Sequence, residues 1–122
     1  MRKILVVEDE ISLREVYDVI LSTGPYEVSV AHNGKEALEL CKVNDFDLIL
    51  LDLMMPVMDG VGFLRKYSDG QGNLESKVIV LSNLSSGDEL TEALKLGAHK
   101  SVLKSNLSPS QLLSMVRYEL EA

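Results

Sequence analysis

The sequence lacks several features that mark common classes of protein. It has no tryptophan, three prolines and a single cysteine, Cys41. One cysteine cannot form an internal disulfide, so a secreted fold held by disulfides is excluded and a reducing compartment is expected. Basic residues number 12 against 19 acidic ones, which gives a net charge of −7. This balance disfavours direct binding of nucleic acid, whose phosphates require basic side chains, and suits a metal cation or a basic partner.

Long hydrophobic runs are also missing. The apolar run after the opening Met-Arg-Lys covers only residues 4–7, which is too short for the core of a signal peptide or for a membrane span. We therefore expect a cytoplasmic protein with no membrane segment. The 122 residues, 46% of them hydrophobic, predict one domain over 1–122 with an apolar core.

Five short segments have the character of β-strands. Four are continuous apolar runs, at 4–7, 48–51, 78–81 and 101–103, and a weaker alternating segment covers 27–31. Continuous runs of this kind are typical of parallel strands buried on both faces. Segments whose apolar residues recur at helical spacing separate and follow them. The alternation predicts a (βα)5 fold, an open parallel sheet with helices on both faces.

Capping signals agree with the predicted helices. Asp9, Asn33 and Asp59 stand where they can cap the first three helices, and Ser-Pro-Ser-Gln at 108–111 reads as a capping box. Gly97 is expected to end the fourth helix.

Polar residues follow four of the five predicted strands. The first strand leads into Glu8 and Asp9, the third into Asp52, the fourth into Ser82 and the fifth into Lys104. In open α/β sheets ligands bind beyond the carboxyl ends of the strands, where these side chains would meet. The sequence therefore predicts a site of three carboxylates, a hydroxyl and an ammonium group.

This set of side chains suits phosphoryl transfer. Three neighbouring carboxylates repel one another strongly unless a cation lies among them, and a small number of hard oxygen ligands favours Mg²⁺. Lys104 supplies a fixed positive charge that would help neutralise a phosphoryl group. Asp52, at the centre, is the natural nucleophile because aspartate forms acyl phosphates. Ser82 offers a hydroxyl to a phosphoryl oxygen.

Four motifs together resemble the receiver domain of two-component response regulators. They are "VVEDE" at 6–10, "DLMMPVMDG" at 52–60, "VLSN" at 80–83 and "GAHKSVLK" at 97–104. The resemblance covers essentially the whole chain, and its specificity comes from all four motifs at these spacings. It implies a flavodoxin-like fold with strand order 2-1-3-4-5.

The resemblance also implies roles for the metal-binding residues. Asp9 and Asp52 would ligate Mg²⁺ directly, the backbone carbonyl of Met54 would be a third ligand, and Glu8 would act through a water molecule. Asp52 would accept a phosphoryl group from the phosphohistidine of a histidine kinase or phosphotransfer protein. The domain would catalyse only its own phosphorylation and dephosphorylation.

The remaining implied roles concern the conformational change that would follow phosphorylation of Asp52. Lys104 would pair with the phosphoryl group, and Ser82 would move toward it. That movement would change the face made by the fourth helix, fifth strand and fifth helix, through which an output domain or partner protein would be controlled.

Three positions depart from the family pattern. Ser105 follows Lys104 where the family usually has proline, and Ser101 stands where it usually has an aromatic residue that turns inward with the switch. Asn83 replaces a common alanine. Serine at 101 cannot reproduce the movement of a ring, so we expect phosphorylation to be kept while its usual readout is altered.

Two other functions remain open on the sequence. The first is a receiver-like module that binds partners without phosphorylation, which Ser101 and Ser105 favour and the complete set of site residues opposes. The second is an unrelated α/β enzyme. A phosphatase with an aspartate nucleophile would need a second acid in a D-x-D motif, which Asp52-Leu53-Met54 lacks, and neither a P-loop nor a G-x-G-x-x-G motif is present.

Overall fold

The computed structural model describes residues 1–71, 76–83 and 87–121. In these residues five strands alternate with five α-helices. The strands are β1 (Arg2–Val7), β2 (Tyr26–Ala31), β3 (Leu48–Asp52), β4 (Lys77–Ser82) and β5 (Lys100–Leu103). The helices are α1 (Ile11–Ser22), α2 (Gly34–Val43), α3 (Gly60–Lys66), α4 (Asp88–Lys95) and α5 (Pro109–Glu121).

The five strands form one parallel sheet in the order β2-β1-β3-β4-β5. The predicted (βα)5 flavodoxin-like fold and strand order 2-1-3-4-5 are therefore confirmed. The register pairs Val7 with Leu51 and Asp52 with Leu81. Because the strands are in this register, the residues that follow β1 and β5, and Ser82 at the end of β4, reach the same edge as Asp52.

Alternate side chains of the central strands bury two separate core layers. Leu5, Ile49 and Val80 pack on the face covered by α2, α3 and α4. Ile4, Leu50 and Ile79 pack on the opposite face, against α1 and α5. Strands with both faces covered explain why the apolar runs are continuous rather than alternating.

The capping predictions are confirmed at three helices. Asn33 Oδ1 accepts a hydrogen bond from Glu36 N at 2.9 Å, and Asp59 Oδ1 accepts one from Gly62 N at 2.8 Å. At α5 the capping box is reciprocal: Gln111 N donates to Ser108 Oγ at 3.2 Å, and Ser108 N donates to Gln111 Oε1 at 2.8 Å.

The prediction for Asp9 is wrong. Helix α1 begins one residue later than that prediction requires, so its N-cap is Glu10, and no side chain accepts a capping hydrogen bond there. The carboxylate of Asp9 lies instead near those of Glu8 and Asp52. Gly97 does follow α4 as predicted, with a φ of +114° that favours glycine.

The polar, glycine-rich segment after α3 begins with a further helical turn. A π-helical turn, Tyr67–Gln71, continues α3, and residues 72–75 lie outside the described residues. Within the described ranges, no helix has the length and apolar character needed to cross a membrane.

Candidate functional site at the carboxyl edge of the sheet

Strand β3 delivers Asp52 to the carboxyl edge of the sheet. All five residues of β3 are buried, and Asp52 itself is 6% exposed. Helix α3 starts against the end of this strand, where Gly60 N donates to Leu53 O at 3.0 Å. A Cβ atom at Gly60 would lie 2.6 Å from the backbone oxygen of Asp52, so this close approach requires glycine.

Three carboxylates meet at this edge, as predicted. Glu8, Asp9 and Asp52 each place a carboxylate oxygen within 4.8 Å of the other two. Glu8 and Asp52 are buried, whereas Asp9 is exposed. Oxygen donors grouped this closely, with one side open to solvent, fit a small divalent cation of the Mg²⁺ type.

Lys104 reaches the same cluster from the end of β5. Its ammonium group lies 2.6 Å from Glu8 Oε1 and 3.3 Å from Asp52 Oδ2. Burial alone would lower the pKa of Lys104, but the hydrogen bond to Glu8 and the charge of Asp52 outweigh it and raise the pKa. Lys104 therefore stays charged and partly neutralises the acids.

Glu8 is the most perturbed acid of the cluster. Burial raises its pKa to about 7, assisted by the negative charge of Asp52 and opposed by the hydrogen bond from Lys104. A carboxylate with such a pKa is held in an environment that disfavours its charge, which a bound cation would relieve.

The cluster opens into a pocket of about 570 Å³. Its lining is Glu8, Asp9, Glu10, Asp52, Met54, Ser82, Asn83 and Lys104. Every residue predicted for the site is therefore brought together. Met54 has an exposed side chain, and its N–H donates to Asp52 Oδ1 at 3.2 Å. The role of its carbonyl as a metal ligand stays a prediction.

The departures at 101 and 105 lie on β5 and just beyond it. Ser101 is exposed and Ser105 lies in the 3₁₀ turn Lys104–Asn106. No cis peptide bond occurs in the described residues, which include the Lys104–Ser105 bond. A trans bond is what serine favours.

One residue near the site was missed by the sequence analysis. Arg14, on α1, donates from Nη1 to the backbone oxygen of Glu8 at 3.0 Å and to that of Asp9 at 3.4 Å. The sequence could have indicated this contact, because side chains in a helix tilt toward its N-terminus. A long basic side chain four residues into α1 was therefore placed to reach the turn that carries the acids.

The open parallel (βα)5 sheet, with an acid cluster, a hydroxyl and a lysine at its carboxyl edge, has the arrangement that the resemblance to receiver domains implies. Comparison with known families gives the same class. The family model described as response regulator receiver domain matches residues 4–117. The chain belongs to the response regulator receiver domain family.

Individual relatives agree with this assignment. The chain is 40% identical over 119 residues to a probable transcriptional regulator, ycf27, of Cyanophora paradoxa, covering 95% of this chain and 47% of the relative. The chain thus spans about half the length of this curated relative. Among solved structures, the chemotaxis protein CheY4 of Vibrio cholerae is 31% identical with a TM-score of 0.87, over 98% of this chain and 99% of that one. A receiver domain solved as BeF3-activated DrrB is 27% identical with a TM-score of 0.84, over 100% and 99% of the two chains.

Proposed function

We propose that this receiver domain accepts a phosphoryl group on Asp52 from the phosphohistidine of a histidine kinase or phosphotransfer protein. The observation that carries the proposal is the position of the Lys104 ammonium group, which lies 2.6 Å from Glu8 and 3.3 Å from Asp52 and belongs to a residue that lines the pocket. A nucleophilic carboxylate beside a fixed cation is what acceptance of a phosphoryl group requires.

In the proposed transfer, a carboxylate oxygen of Asp52 attacks the phosphorus atom. The bond from phosphorus to the histidine nitrogen breaks, and the nitrogen keeps the electron pair and takes up a proton. Lys104 neutralises charge on the phosphoryl oxygens. Ser82, which lines the pocket, donates its hydroxyl to one of them after transfer.

The proposal includes Mg²⁺. Glu8, Asp9 and Asp52 would hold it, with the backbone carbonyl of Met54, and their grouped oxygens fit such an ion. A bound Mg²⁺ would supply positive charge to the phosphoryl oxygens and to the crowded carboxylates. No other molecule is proposed as a substrate, since the domain acts only on its own Asp52.

We further propose that the signal leaves through the face formed by α4, β5 and α5. Ser82 ends β4, and Lys104 follows β5, so both phosphoryl contacts belong to elements beside this face. The curated relatives named as transcriptional regulators are about twice as long as this chain, which supports control of an output domain or partner protein.

The alternative is a module that binds partners without phosphorylation. The exposed Ser101 on β5 favours it, because this side chain has no ring to turn inward. The position of Lys104 between Glu8 and Asp52 opposes it. Burying these charges costs free energy, and a module that only binds partners would not require them.

The direct test uses phosphoramidate, a small donor with the same phosphorus–nitrogen bond as phosphohistidine. We expect the protein to gain the mass of one phosphoryl group when Mg²⁺ is present and not when it is chelated. The Asp52→Asn variant should gain nothing, whereas Asp59→Asn, which alters the exposed cap of α3, should react like the unmodified protein. Absence of any Mg²⁺-dependent gain would favour the binding module instead.

A further inference from the structure

The turn between β1 and α1 carries two of the three acids yet lacks the usual helix cap. Glu10 is the N-cap of α1, no side chain caps it, and no acidic residue lies in the first helical turn. An N-cap side chain would accept hydrogen bonds from the free N–H groups of the first helical turn, so it could not satisfy the backbone oxygens of Glu8 and Asp9, which need donors of their own.

Arg14 provides those donors. Its Nη1 donates to the backbone oxygens of Glu8 and Asp9, at 3.0 and 3.4 Å. Its own backbone N–H donates to Glu10 O at 2.9 Å, the first bond of the helix. One half-buried residue thus ties two consecutive carbonyls of the turn to the start of α1.

The side chain of Glu8 depends on the same turn. Glu8 Oε2 accepts a hydrogen bond from Glu10 N at 3.3 Å, while Oε1 accepts from Lys104 at 2.6 Å. A rotation of the turn would therefore displace both the Glu8 carboxylate and the neighbouring Asp9 carboxylate relative to Asp52. Hydrogen bonds from an ionised donor are shorter and stronger than neutral ones, which suits Arg14 to this task.

We propose that Arg14 is a positioning residue for cation binding, which holds the Glu8 and Asp9 carboxylates in place opposite Asp52. The proposal rests on the proposed function, in which these acids hold Mg²⁺. Arg14 bonds to the backbone of the acids rather than to their carboxylates, so it orders them without occupying the oxygens that would bind the cation.

The direction in which Mg²⁺ affinity changes when Arg14 is replaced distinguishes a positioning role from a purely electrostatic one. Arg14 is itself a cation near the cluster. If it acted only through its charge, removing it would strengthen Mg²⁺ binding. Loss of positioning would weaken it, and loss of a residue that orients metal ligands typically lowers affinity about 10–100-fold.

The experiment titrates MgCl₂ into the whole chain and follows the amide NMR signals of residues 8–10 and 52–54. We expect Arg14→Met to weaken Mg²⁺ binding about tenfold and Arg14→Lys to recover part of the loss. The control is Arg2→Met at the opposite end of β1, where the exposed Arg2 guanidinium pairs with Asp47 at 3.6 Å. The Mg²⁺ affinity of this variant should equal that of the unmodified protein. Phosphorylation of Arg14→Met should be slow at low Mg²⁺ and recover at saturating Mg²⁺.

Equal or tighter Mg²⁺ binding by folded Arg14→Met would overturn the inference and leave the proposed function standing. Absence of Mg²⁺ binding by the unmodified protein would overturn both. If Arg14→Met does not fold, Arg14→Gln is judged by the same criterion, because it removes the charge and keeps a polar end.

Discussion

The ammonium group of Lys104 lies 2.6 Å from a carboxylate oxygen of Glu8, although 96 positions separate the two residues in the chain. The contact joins the first strand of the fold to the last. It holds a cation inside the acid cluster, and it places the turn after β5 against the turn after β1.

The Glu8→Gln substitution should stabilise the fold at neutral pH in the absence of divalent ions. The pKa of Glu8 is raised from 4.5 to about 7 in the folded state, so the folded protein binds a proton that the unfolded chain has released. Stability therefore falls as pH rises from 4.5 to about 7. Removing the titrating group should raise the free energy of unfolding by about 1–2 kcal/mol at about pH 8, and by much less at about pH 5.

Urea unfolding followed by circular dichroism, with a chelator present, measures this gain. Glu10→Gln is the matched control, because Glu10 lines the same pocket from an exposed position. A gain that is the same at both pH values, or a loss at the higher one, would contradict a raised pKa at Glu8.

The Val57→Asn substitution should also stabilise the protein. Val57 has a φ of +68° and is 79% exposed. A left-handed backbone is costly for a β-branched residue, by about 1–2 kcal/mol, whereas asparagine tolerates it. We expect the free energy of unfolding to rise by about 1 kcal/mol, measured by urea unfolding at fixed pH.

Val43→Asn serves as the comparison for that substitution. Val43 is also 79% exposed, but it lies at the end of α2 and does not have a positive φ. It should not be stabilised by asparagine. Equal effects at the two positions would show that polarity, rather than backbone strain, is responsible.

The Glu119→Gln substitution should destabilise the protein. Glu119 is buried on α5, with Lys100 Nζ at 2.8 Å, His99 Nε2 at 3.3 Å and Lys77 Nζ at 3.4 Å from its carboxylate. The hydrogen bond from Lys100 and the nearby cations lower its pKa, against the opposing effect of burial. The two lysines remain partly solvated, so we expect a loss of about 1–2 kcal/mol at neutral pH.

The pH dependence of this loss follows from the lowered pKa. A depressed carboxyl pKa stabilises the fold above the unfolded value of 4.5 and ceases to do so as pH falls through the folded value. The difference between the two proteins, measured by urea unfolding, should therefore shrink below about pH 4. Glu121→Gln is the control, because its exposed pair with Arg117 spans 3.9 Å and should be worth little.

The strand order and the site could be predicted because their signals are strong and local. Continuous apolar runs such as residues 48–51 indicate buried parallel strands, and the polar residue after each run indicates the edge of the sheet where ligands bind. Asn33 and Asp59 cap their helices as predicted because an N-cap needs only one suitable side chain at one position.

The features that escaped prediction depend on distant contacts or on competition between roles. Asp9 was expected to cap α1, but its carboxylate lies with the acid cluster instead. Glu119 is buried on α5 beside lysines from β4 and β5, and helical spacing in the sequence does not reveal these distant partners. The positive φ of Val57 is likewise set by the loop between β3 and α3 rather than by its own preference.

The measurement that tests the central claim most directly is Mg²⁺-dependent binding of beryllofluoride, a mimic of aspartyl phosphate, followed by amide NMR with Asp52→Asn as control. The account predicts shifts around Asp52, Ser82 and Lys104 that require both Mg²⁺ and the Asp52 carboxylate. With Ser101 in place of a ring, we expect the changes in α4 and α5 to be weaker than those at the site. Spectra that do not change with Mg²⁺ and beryllofluoride, or that change equally in Asp52→Asn, would contradict a phosphoacceptor role for Asp52.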